Sequence, residues 1–225
     1  MSKGLIEKEF VFFDLDGTLT DPKEGITTCV AYALKKVLDL DEDPNKLTKF
    51  IGPPLKDAFM SFYNMTLEQS LRAIDAYRER FEVHGWLENI PYIGISELLS
   101  ALKAQGKTIL VATSKPTFFA EKILNHFEMA QYFDHIVGSN LDGTRSHKAE
   151  VIEYALSLIG NPKSQKIIMV GDREHDIIGA HKHNIECLAV GYGYGEEGVL
   201  RDHGADYYTS DLNALASLFG ITDNQ

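Results

Sequence analysis

The apolar residues of this chain fall into short runs that alternate with helical patterns. Four runs have the length expected of strands buried on both faces; they are residues 109–112, 136–137, 167–170 and 187–190. Between them, apolar residues recur three and four positions apart, as on one face of a helix: the sets are Ile95, Leu98, Leu99 and Leu102, and Val151, Ile152, Ala155, Leu156 and Ile159. Strands that alternate with helices predict a parallel sheet with right-handed crossovers, and therefore an α/β, Rossmann-like three-layer core.

A fifth apolar run, residues 10–13, is separated from residues 109–112 by an interval without strand-like runs. About 90 residues lie between the two, far more than a crossover needs. The interval shows two helical faces: one is Ile26, Val30, Leu34, Val37 and Leu38, and the other is Leu71, Ile74, Tyr77 and Phe81. We therefore predict a helical domain at residues 21–91, inserted into an α/β core made of residues 1–20 and 92–225. We expect the tail, residues 221–225, to be frayed.

Composition narrows the class of protein. Of the 225 residues, 44% are hydrophobic and 24% are charged, as is ordinary for a soluble globular protein. No apolar run approaches the roughly 18 residues of a membrane helix, and the N-terminal residues lack the apolar segment of a secretory signal. Two cysteines, Cys29 and Cys187, lie far apart and indicate a reducing compartment, so we expect a cytoplasmic protein.

The formal net charge of −11 bears on the partners of the protein. Nucleic acid binding depends on clustered Lys and Arg residues, and the sequence has no such run. An acidic protein that handles phosphate needs positive charge close to its site, because its overall field repels the substrate. We expect a small-molecule substrate and neither nucleic acid nor a membrane as partner; the sequence leaves the oligomeric state open.

Two aspartates directly follow the first apolar run. Residues 10–20 read FVFFDLDGTLT, so Asp14 and Asp16 come at the carboxyl end of the predicted strand, where Gly17 turns the chain away. Open α/β sheets bind ligands at this end. Neighbouring carboxylates repel each other, and a hard dication such as Mg²⁺ relieves that repulsion. The pattern favours a magnesium site; the alternative is a buried strand followed by an ordinary acidic turn.

Polar residues also follow the next runs along the chain. Thr113 and Ser114 come after residues 109–112, where a hydroxyl and backbone N–H groups could bind a phosphate oxygen or could simply cap the next helix. Lys148 opens a later helix, although a lysine there opposes the helix dipole. It could screen carboxylates and hold a phosphoryl group, or it could lie in solvent.

The run at residues 167–170 leads into two more aspartates. Asp172 and Asp176 are four residues apart, and the second is expected within the first turn of a helix. This spacing suits one metal ligand and one residue that orients the ligands. The alternative is an acidic helix start that is favourable to the dipole.

Taken in chain order, these four signals resemble the motifs of the haloacid dehalogenase superfamily of phosphotransferases. The first motif, an apolar strand followed by Asp-x-Asp-Gly-Thr, matches residues 14–18; Thr113 matches the second, Lys148 the third, and residues 171–176 the fourth. The resemblance spans essentially the whole chain, with the helical insertion in the place of the family's cap domain. It is greatest to the phosphoglycolate phosphatase and 5′-nucleotidase branch.

The resemblance implies a Mg²⁺-dependent phosphatase that hydrolyses small phosphomonoesters through an aspartyl phosphate. Asp14 would attack phosphorus, and Asp16 would protonate the leaving oxygen and then serve as the base for water. A phosphomutase of the β-phosphoglucomutase type shares these aspartates and stays open as the alternative. A signalling receiver domain is disfavoured, since receivers carry no helical insertion after their first strand.

The resemblance also implies a ligand set. Mg²⁺ would be held by the Asp14 carboxylate, the Asp16 backbone carbonyl and Asp172, while Asp176 orients these ligands. The phosphate oxygens would be bound by Thr113, Ser114 and Lys148.

One segment of the predicted helical domain resembles the cap loop that faces the active site in this branch. Residues 50–56 read FIGPPLK, in which two prolines restrict the backbone and Gly52 permits a sharp turn. The resemblance would make Gly52 and Lys56 substrate-binding residues. The alternative is a rigid connection between helices, with Pro54 near a helix start. A cap that closes over the site favours small soluble phosphomonoesters as substrates.

A glycine-rich segment after the last run needs a separate interpretation. Residues 193–198 formally match the dinucleotide-binding pattern G-x-G-x-x-G, but two glutamates stand where a pyrophosphate would approach. We interpret the segment as a flexible loop.

Overall fold

A computed structural model describes residues 5–222 of the chain. The chain divides into two compact units, one formed by residues up to Leu19 and from Pro91 onward, and the other by Thr20–Ile90. The first unit is an α/β core and the second is helical. The expected fraying of residues 221–225 concerns a tail of which residues 223–225 lie outside the described part of the chain.

The α/β core is built on a six-stranded sheet flanked by helices. The strands of the described chain are β1 (Phe10–Phe13), β2 (Thr20–Asp21), β3 (Ile90–Pro91), β4 (Thr108–Pro116), β5 (His135–Ser139), β6 (Ile167–Gly171), β7 (Glu186–Val190) and β8 (Tyr207–Thr209). The core sheet has the order β5-β4-β1-β6-β7-β8, and its neighbouring strands are parallel. β2 and β3 form a separate two-stranded sheet.

The strand order reverses at β1. From β1 the chain continues into β4 and β5 on one side, and it then returns to the other side to form β6, β7 and β8. Such a switch point opens a crevice at the carboxyl ends of the strands, and this crevice is where α/β sheets bind ligands. The polar residues that follow β1, β4 and β6 therefore come to the same edge of the sheet.

The sheet confirms the α/β fold class predicted from the apolar runs. Each predicted run lies within one strand, but β4 continues to Pro116, whereas the apolar run ends at Ala112. The additional residues are polar, so apolar content alone did not reveal them. β8, with the sequence YYT, has no apolar run of its own and was not predicted.

Nine α-helices complete the described chain. They are α1 (Lys23–Leu38), α2 (Leu55–Tyr63), α3 (Leu67–Arg80), α4 (Ile95–Ala104), α5 (Thr117–His126), α6 (Lys148–Leu158), α7 (Glu174–His181), α8 (Glu197–Asp202) and α9 (Leu212–Leu218). The first three belong to the helical unit and the others to the core. Within residues 5–222, no helix combines the length and the apolar character needed to cross a bilayer.

The centre of the core is the apolar middle of the sheet. Phe12 of β1 is in register with Leu110 of β4 on one side and with Met169 of β6 on the other. All three side chains are fully buried and belong to one cluster with residues of α6 and α7. Because helices cover the strands, their sequences are nearly continuous apolar runs rather than alternating ones.

The helical unit packs through small residues. The buried positions of α3 are Ser70, Ala73, Ala76 and Tyr77, whereas Leu71, which we expected on the apolar face, is 49% exposed. Small side chains allow close approach of neighbouring backbones: a Cβ added to Gly25 of α1 would lie 2.1 Å from the carbonyl oxygen of Gly85. The expectation for Leu71 was wrong, whereas Tyr77 and Phe81 of the same predicted face are buried.

The loop at residues 50–56 connects two helical elements of this unit. Gly52 has a φ of 108°, a conformation that favours glycine, and Pro54 directly precedes α2. Lys56 lies in the first turn of α2 and is half exposed, with its nearest charged neighbour Asp57 at 3.9 Å. A substrate-binding role for Gly52 and Lys56 stays a prediction.

The buried centre of the sheet generates a stability prediction. Leu110→Ala removes a fully buried side chain from a close-packed cluster, so we expect a loss of about 2–5 kcal/mol in the free energy of unfolding. The matched control is Leu158→Ala at the 40% exposed end of α6, for which we expect a loss below about 1 kcal/mol. Urea unfolding followed by circular dichroism measures both, and equal losses would contradict the placement of Leu110 in the core.

Candidate active site

The aspartates that follow β1 and β6 meet at the switch point of the sheet. Asp14 and Asp16 come directly after β1, Asp172 directly follows β6, and Asp176 lies in the first turn of α7. One carboxylate oxygen from each of Asp14, Asp172 and Asp176 lies within 4.8 Å of the others, and all three residues are buried. Carboxylates brought so close without water repel one another strongly, so the site requires positive charge.

Lys148 supplies part of that charge. Its side chain is 3% exposed, and its Nζ lies 2.8 Å from Asp14 Oδ1 and 2.8 Å from Asp176 Oδ1. The ammonium also donates a hydrogen bond to the carbonyl oxygen of Ala112, at 2.9 Å. Burial opposes a charged lysine, but the two carboxylates outweigh burial and hold the pKa of Lys148 above its usual value. The lysine at the start of α6 is therefore turned into the site rather than into solvent.

Asp172 is held by groups from two other segments. Its Oδ2 accepts a hydrogen bond from the backbone N–H of Tyr194 at 2.7 Å, and its Oδ1 accepts one from the Thr18 hydroxyl at 3.2 Å. Burial raises the pKa of Asp172 well above its usual value, and the nearby Asp176 and Asp14 raise it further. Burial and the neighbouring carboxylates therefore both disfavour the charged form of Asp172.

Asp176 has both oxygens engaged. Oδ1 pairs with Lys148, and Oδ2 accepts a hydrogen bond from the backbone N–H of Arg173 at 3.0 Å. Burial raises the pKa of Asp176 to about 6, while Lys148 opposes the rise. An oxygen-only set of buried carboxylates suits a hard dication, so the residues present fit Mg²⁺. Asp176 contacts the same ammonium as Asp14, so it can orient Lys148.

Asp16 stands apart from the three-carboxylate cluster and pairs with a lysine that the sequence did not reveal. Its Oδ2 lies 2.9 Å from Nζ of Lys115, and both side chains are at most 10% exposed. Within the described chain, its Oδ1 is buried without a hydrogen-bond partner. Burial raises the pKa of Asp16 and Lys115 opposes the rise.

Thr113 and Ser114 lie in the extended part of β4. Thr113 is 1% exposed, and its hydroxyl accepts a hydrogen bond from the backbone N–H of Lys115 at 3.3 Å. Thr113 and Lys115 are buried, whereas Ser114 is only partly buried. The carbonyl oxygen of Ser114 accepts a hydrogen bond from the Ser139 hydroxyl at 2.9 Å. Phosphate binding by Thr113 and Ser114 stays a prediction.

The glycine-rich segment after β7 packs on Asp172, which sequence reasoning missed. A Cβ on Gly193 would lie 2.4 Å from the Cβ of Asp172 and 2.3 Å from the carbonyl oxygen of Gly17. A Cβ on Gly195 would lie 2.0 Å from the carbonyl oxygen of Asp172. The close approach brings the Tyr194 N–H to the carboxylate, so the segment is a support of the site rather than a free loop.

Comparisons with known proteins point to one family. Residues 11–190 match the family model described as haloacid dehalogenase-like hydrolase. A protein of Pseudomonas aeruginosa named 5′-nucleotidase is 48% identical over 206 residues, which cover 91% of this chain and 92% of that protein. A solved structure described as a predicted phosphatase from Clostridium acetobutylicum is 50% identical, has a TM-score of 0.91, and is matched over 93% of this chain and 97% of its own.

A further relative is named as a kinase rather than as a phosphatase or nucleotidase. The tyrosine-protein kinase PtkA of Mycobacterium tuberculosis is 39% identical over 188 residues, which cover 83% of this chain and 63% of that protein.

The close packing of Gly193 generates a prediction with a control in the same segment. Gly193→Ala forces a methyl group against Asp172 and Gly17, so we expect a loss of about 1–3 kcal/mol in the free energy of unfolding. At Gly198 an added Cβ meets no atom within 4 Å among the described residues, so Gly198→Ala should stay within about 0.5 kcal/mol of the parent or gain stability. Urea unfolding measures both variants. The packing is refuted if Gly193→Ala is as stable as the control.

Proposed function

Because the chain belongs to the haloacid dehalogenase-like hydrolase family and is a phosphoric monoester hydrolase, we propose that it hydrolyses small phosphomonoesters of the 5′-nucleotide or phosphoglycolate type through a phosphoaspartate on Asp14. The observation that carries the proposal is the pairing of Asp14 with Lys148 at the switch point of the sheet. The name of the Pseudomonas aeruginosa relative makes 5′-nucleotides the first substrates to test.

The contacts of Asp14 support Oδ2 as the proposed attacking atom. Oδ1 is engaged by Lys148 at 2.8 Å and accepts the backbone N–H of Leu15 at 2.8 Å. These two contacts fix the carboxylate and leave Oδ2 as the nucleophile. In the first step Oδ2 forms a bond to phosphorus while the bond from phosphorus to the ester oxygen breaks, which is a recognised use of a carboxylate nucleophile.

Asp16 moves the protons of both steps. It gives a proton to the leaving oxygen when the ester bond breaks, and it becomes a carboxylate. In the second step that carboxylate takes a proton from the water that attacks phosphorus, which releases inorganic phosphate and restores Asp14. Burial raises the pKa of Asp16, and this favours the protonated form that the first step needs.

Lys148 and Thr113 are the proposed ligands of the phosphoryl oxygens. Charge accumulates on these oxygens during phosphoryl transfer, and a buried ammonium stabilises it more than an exposed one does. The backbone N–H groups near Ser114 would add to this set.

Asp14 and Asp172, with the backbone carbonyl of Asp16, are the proposed ligands of Mg²⁺. Bound there, the ion would neutralise the carboxylates and polarise the oxygens of the phosphoryl group. Asp176 would hold Lys148 and Asp14 in their relative positions, because it contacts the same ammonium.

We propose that the helical unit is the cap that selects the leaving group. It contains a pocket of about 320 Å³, and Asp21, Lys23, Asn45 and Glu88 are among the residues that line it. Cys29 and Cys187 are buried and form no disulfide in the described part of the chain, in keeping with the cytoplasmic location that we expect.

Phosphate release across a panel of 5′-nucleotides, phosphoglycolate and sugar phosphates, with Mg²⁺ present, tests the substrate class. Preference for one member, with stoichiometric inorganic phosphate, supports the hydrolase. An isomerised sugar phosphate without free phosphate would instead identify a phosphomutase. Transfer to a tyrosine peptide without net hydrolysis would also contradict the proposal.

The role of Asp14 generates a prediction about turnover. Asp14→Asn removes the nucleophile, so we expect kcat to fall by at least about 10³-fold while circular dichroism stays that of the parent protein. The matched control is Asp202→Asn on exposed α8, which should turn over at the parent rate. Substantial phosphatase activity in Asp14→Asn would rule out this residue as the nucleophile.

The ligand set generates a prediction about metal binding with a readout that is independent of activity. EDTA should abolish phosphate release, and added Mg²⁺ should restore it. Mg²⁺ at about 100 times its Kd should also add about 2.7 kcal/mol to the free energy of unfolding and raise the Tm of the parent protein. Asp172→Asn should lose this rise in Tm and Asp202→Asn should keep it. Full activity in EDTA would refute the metal site.

A further inference from the structure

A second buried lysine lies at the site, and the mechanism above does not use it. Nζ of Lys115 is 2.9 Å from Oδ2 of Asp16, and the Lys115 side chain is 5% exposed. Burial of an ammonium costs free energy unless a partner compensates it, so a lysine is rarely found in such a place without a purpose. Lys148 forms an ion pair with Asp14, and Lys115 forms one with Asp16.

The backbone of β4 determines where Lys115 lies. β4 runs on to Pro116, with an irregular register against β5 between Ala112 and Pro116. Gly138 of β5 allows a close approach there, because an added Cβ would lie 2.2 Å from the carbonyl oxygen of Lys115. Lys115 therefore starts from a rigid part of the sheet rather than from a mobile loop.

The contacts of the two aspartates are complementary. Asp14 has Oδ1 engaged by a lysine, which leaves Oδ2 for phosphorus. Asp16 has Oδ2 engaged by the other lysine, and its Oδ1 is buried without a hydrogen-bond partner in the described chain. In each case a lysine fixes one oxygen of the carboxylate and thereby aims the other.

We infer that Lys115 is the positioning residue of the leaving-group side: it holds Asp16 by Oδ2 so that Oδ1 exchanges the proton with the ester oxygen. The inference rests on the proposed function, because it assigns the partner of a residue whose role that function supplies. Lys148 acts on the phosphoryl side, and Lys115 acts on the leaving oxygen through Asp16.

The separate roles of Lys148 and Lys115 predict that substrates with different leaving groups respond differently to the loss of Lys115. An alkyl leaving group such as a nucleoside 5′-oxygen is expelled slowly without a proton, so its hydrolysis requires a correctly aimed Asp16. An aryl leaving group such as 4-nitrophenolate is stable as an anion and leaves without one. Loss of Lys115 should therefore damage hydrolysis of the alkyl ester selectively.

The test compares Lys115→Met with the same change at the other buried lysine, Lys148→Met. Each variant is assayed with Mg²⁺ on the best alkyl phosphomonoester of the panel and on 4-nitrophenyl phosphate. For Lys115→Met we expect kcat on the alkyl ester to fall by about 10²-fold and kcat on the aryl ester to stay within about fivefold. For Lys148→Met we expect both to fall together, because the phosphoryl group is common to both substrates.

Inhibition by inorganic phosphate separates the two lysines in another way. The Ki for phosphate should be unchanged in Lys115→Met and raised in Lys148→Met. Lys115→Arg keeps a cation beside Asp16 and should recover most of the alkyl-ester rate. If Lys115→Met does not fold by circular dichroism, Lys115→Gln takes its place, with the same expectation.

Two results would overturn the inference: equal loss on the alkyl and aryl esters in Lys115→Met, or no loss on either. These outcomes are distinct from failure of the proposed function. The proposed function fails if the parent protein releases no phosphate from the panel, whereas the inference fails only through the ratio between variants of an active parent.

Discussion

Three buried carboxylates meet where β1 and β6 end, and their mutual repulsion must be offset before this edge of the sheet can form. Lys148 offsets part of this repulsion because its Nζ lies 2.8 Å from an oxygen of Asp14 and of Asp176. Burial and the neighbouring carboxylates raise the pKa of the third, Asp172. The surrounding backbone is shaped accordingly. Gly17 and Gly193 carry no side chain because one would collide with Asp172, and the vacated space lets backbone N–H groups reach the carboxylate.

The same constraint explains how a chain with a net charge of −11 can attract phosphate. The protein places two lysines in the core beside the aspartates, where the local dielectric is low and salt screens little. In the resting state each ammonium is held by carboxylates and is therefore positioned in advance. In the proposed mechanism, a phosphoryl group would meet positive charge whose orientation needs no further reorganisation, which is the condition for strong electrostatic catalysis.

The core strands and the position of the candidate site could be predicted from the sequence. The apolar runs predicted the core strands. The candidate site residues follow those strands or lie in the first turn of the next helix, so the sheet topology alone brings them together. They are Asp14, Asp16, Thr113, Lys148, Asp172 and Asp176. The family and the α/β fold are confirmed, while the individual roles of these residues stay predictions. Lys115 was not predicted as a site residue, because Ser-Lys-Pro after an apolar run is typical of a helix start. The feature that could have indicated it is its position two residues after Thr113 in a strand that is longer than the apolar run.

Other features could not be predicted because they depend on packing between distant segments. Nothing in residues 193–198 indicates that Gly193 packs against Asp172, which follows β6. From the sequence we interpreted this glycine-rich segment as a flexible loop. In α3 the spacing predicted that Leu71 and Tyr77 share the buried face, but Leu71 is exposed and the small residues Ser70 and Ala73 are buried beside Tyr77.

The stereochemistry at phosphorus tests the account most directly. Hydrolysis of a substrate with an isotopically chiral thiophosphoryl group, in isotopically labelled water, distinguishes one in-line displacement from two. A phosphoaspartate on Asp14 requires two displacements and therefore predicts overall retention of configuration. Inversion would mean that water attacks the substrate directly, and it would contradict the central role of Asp14.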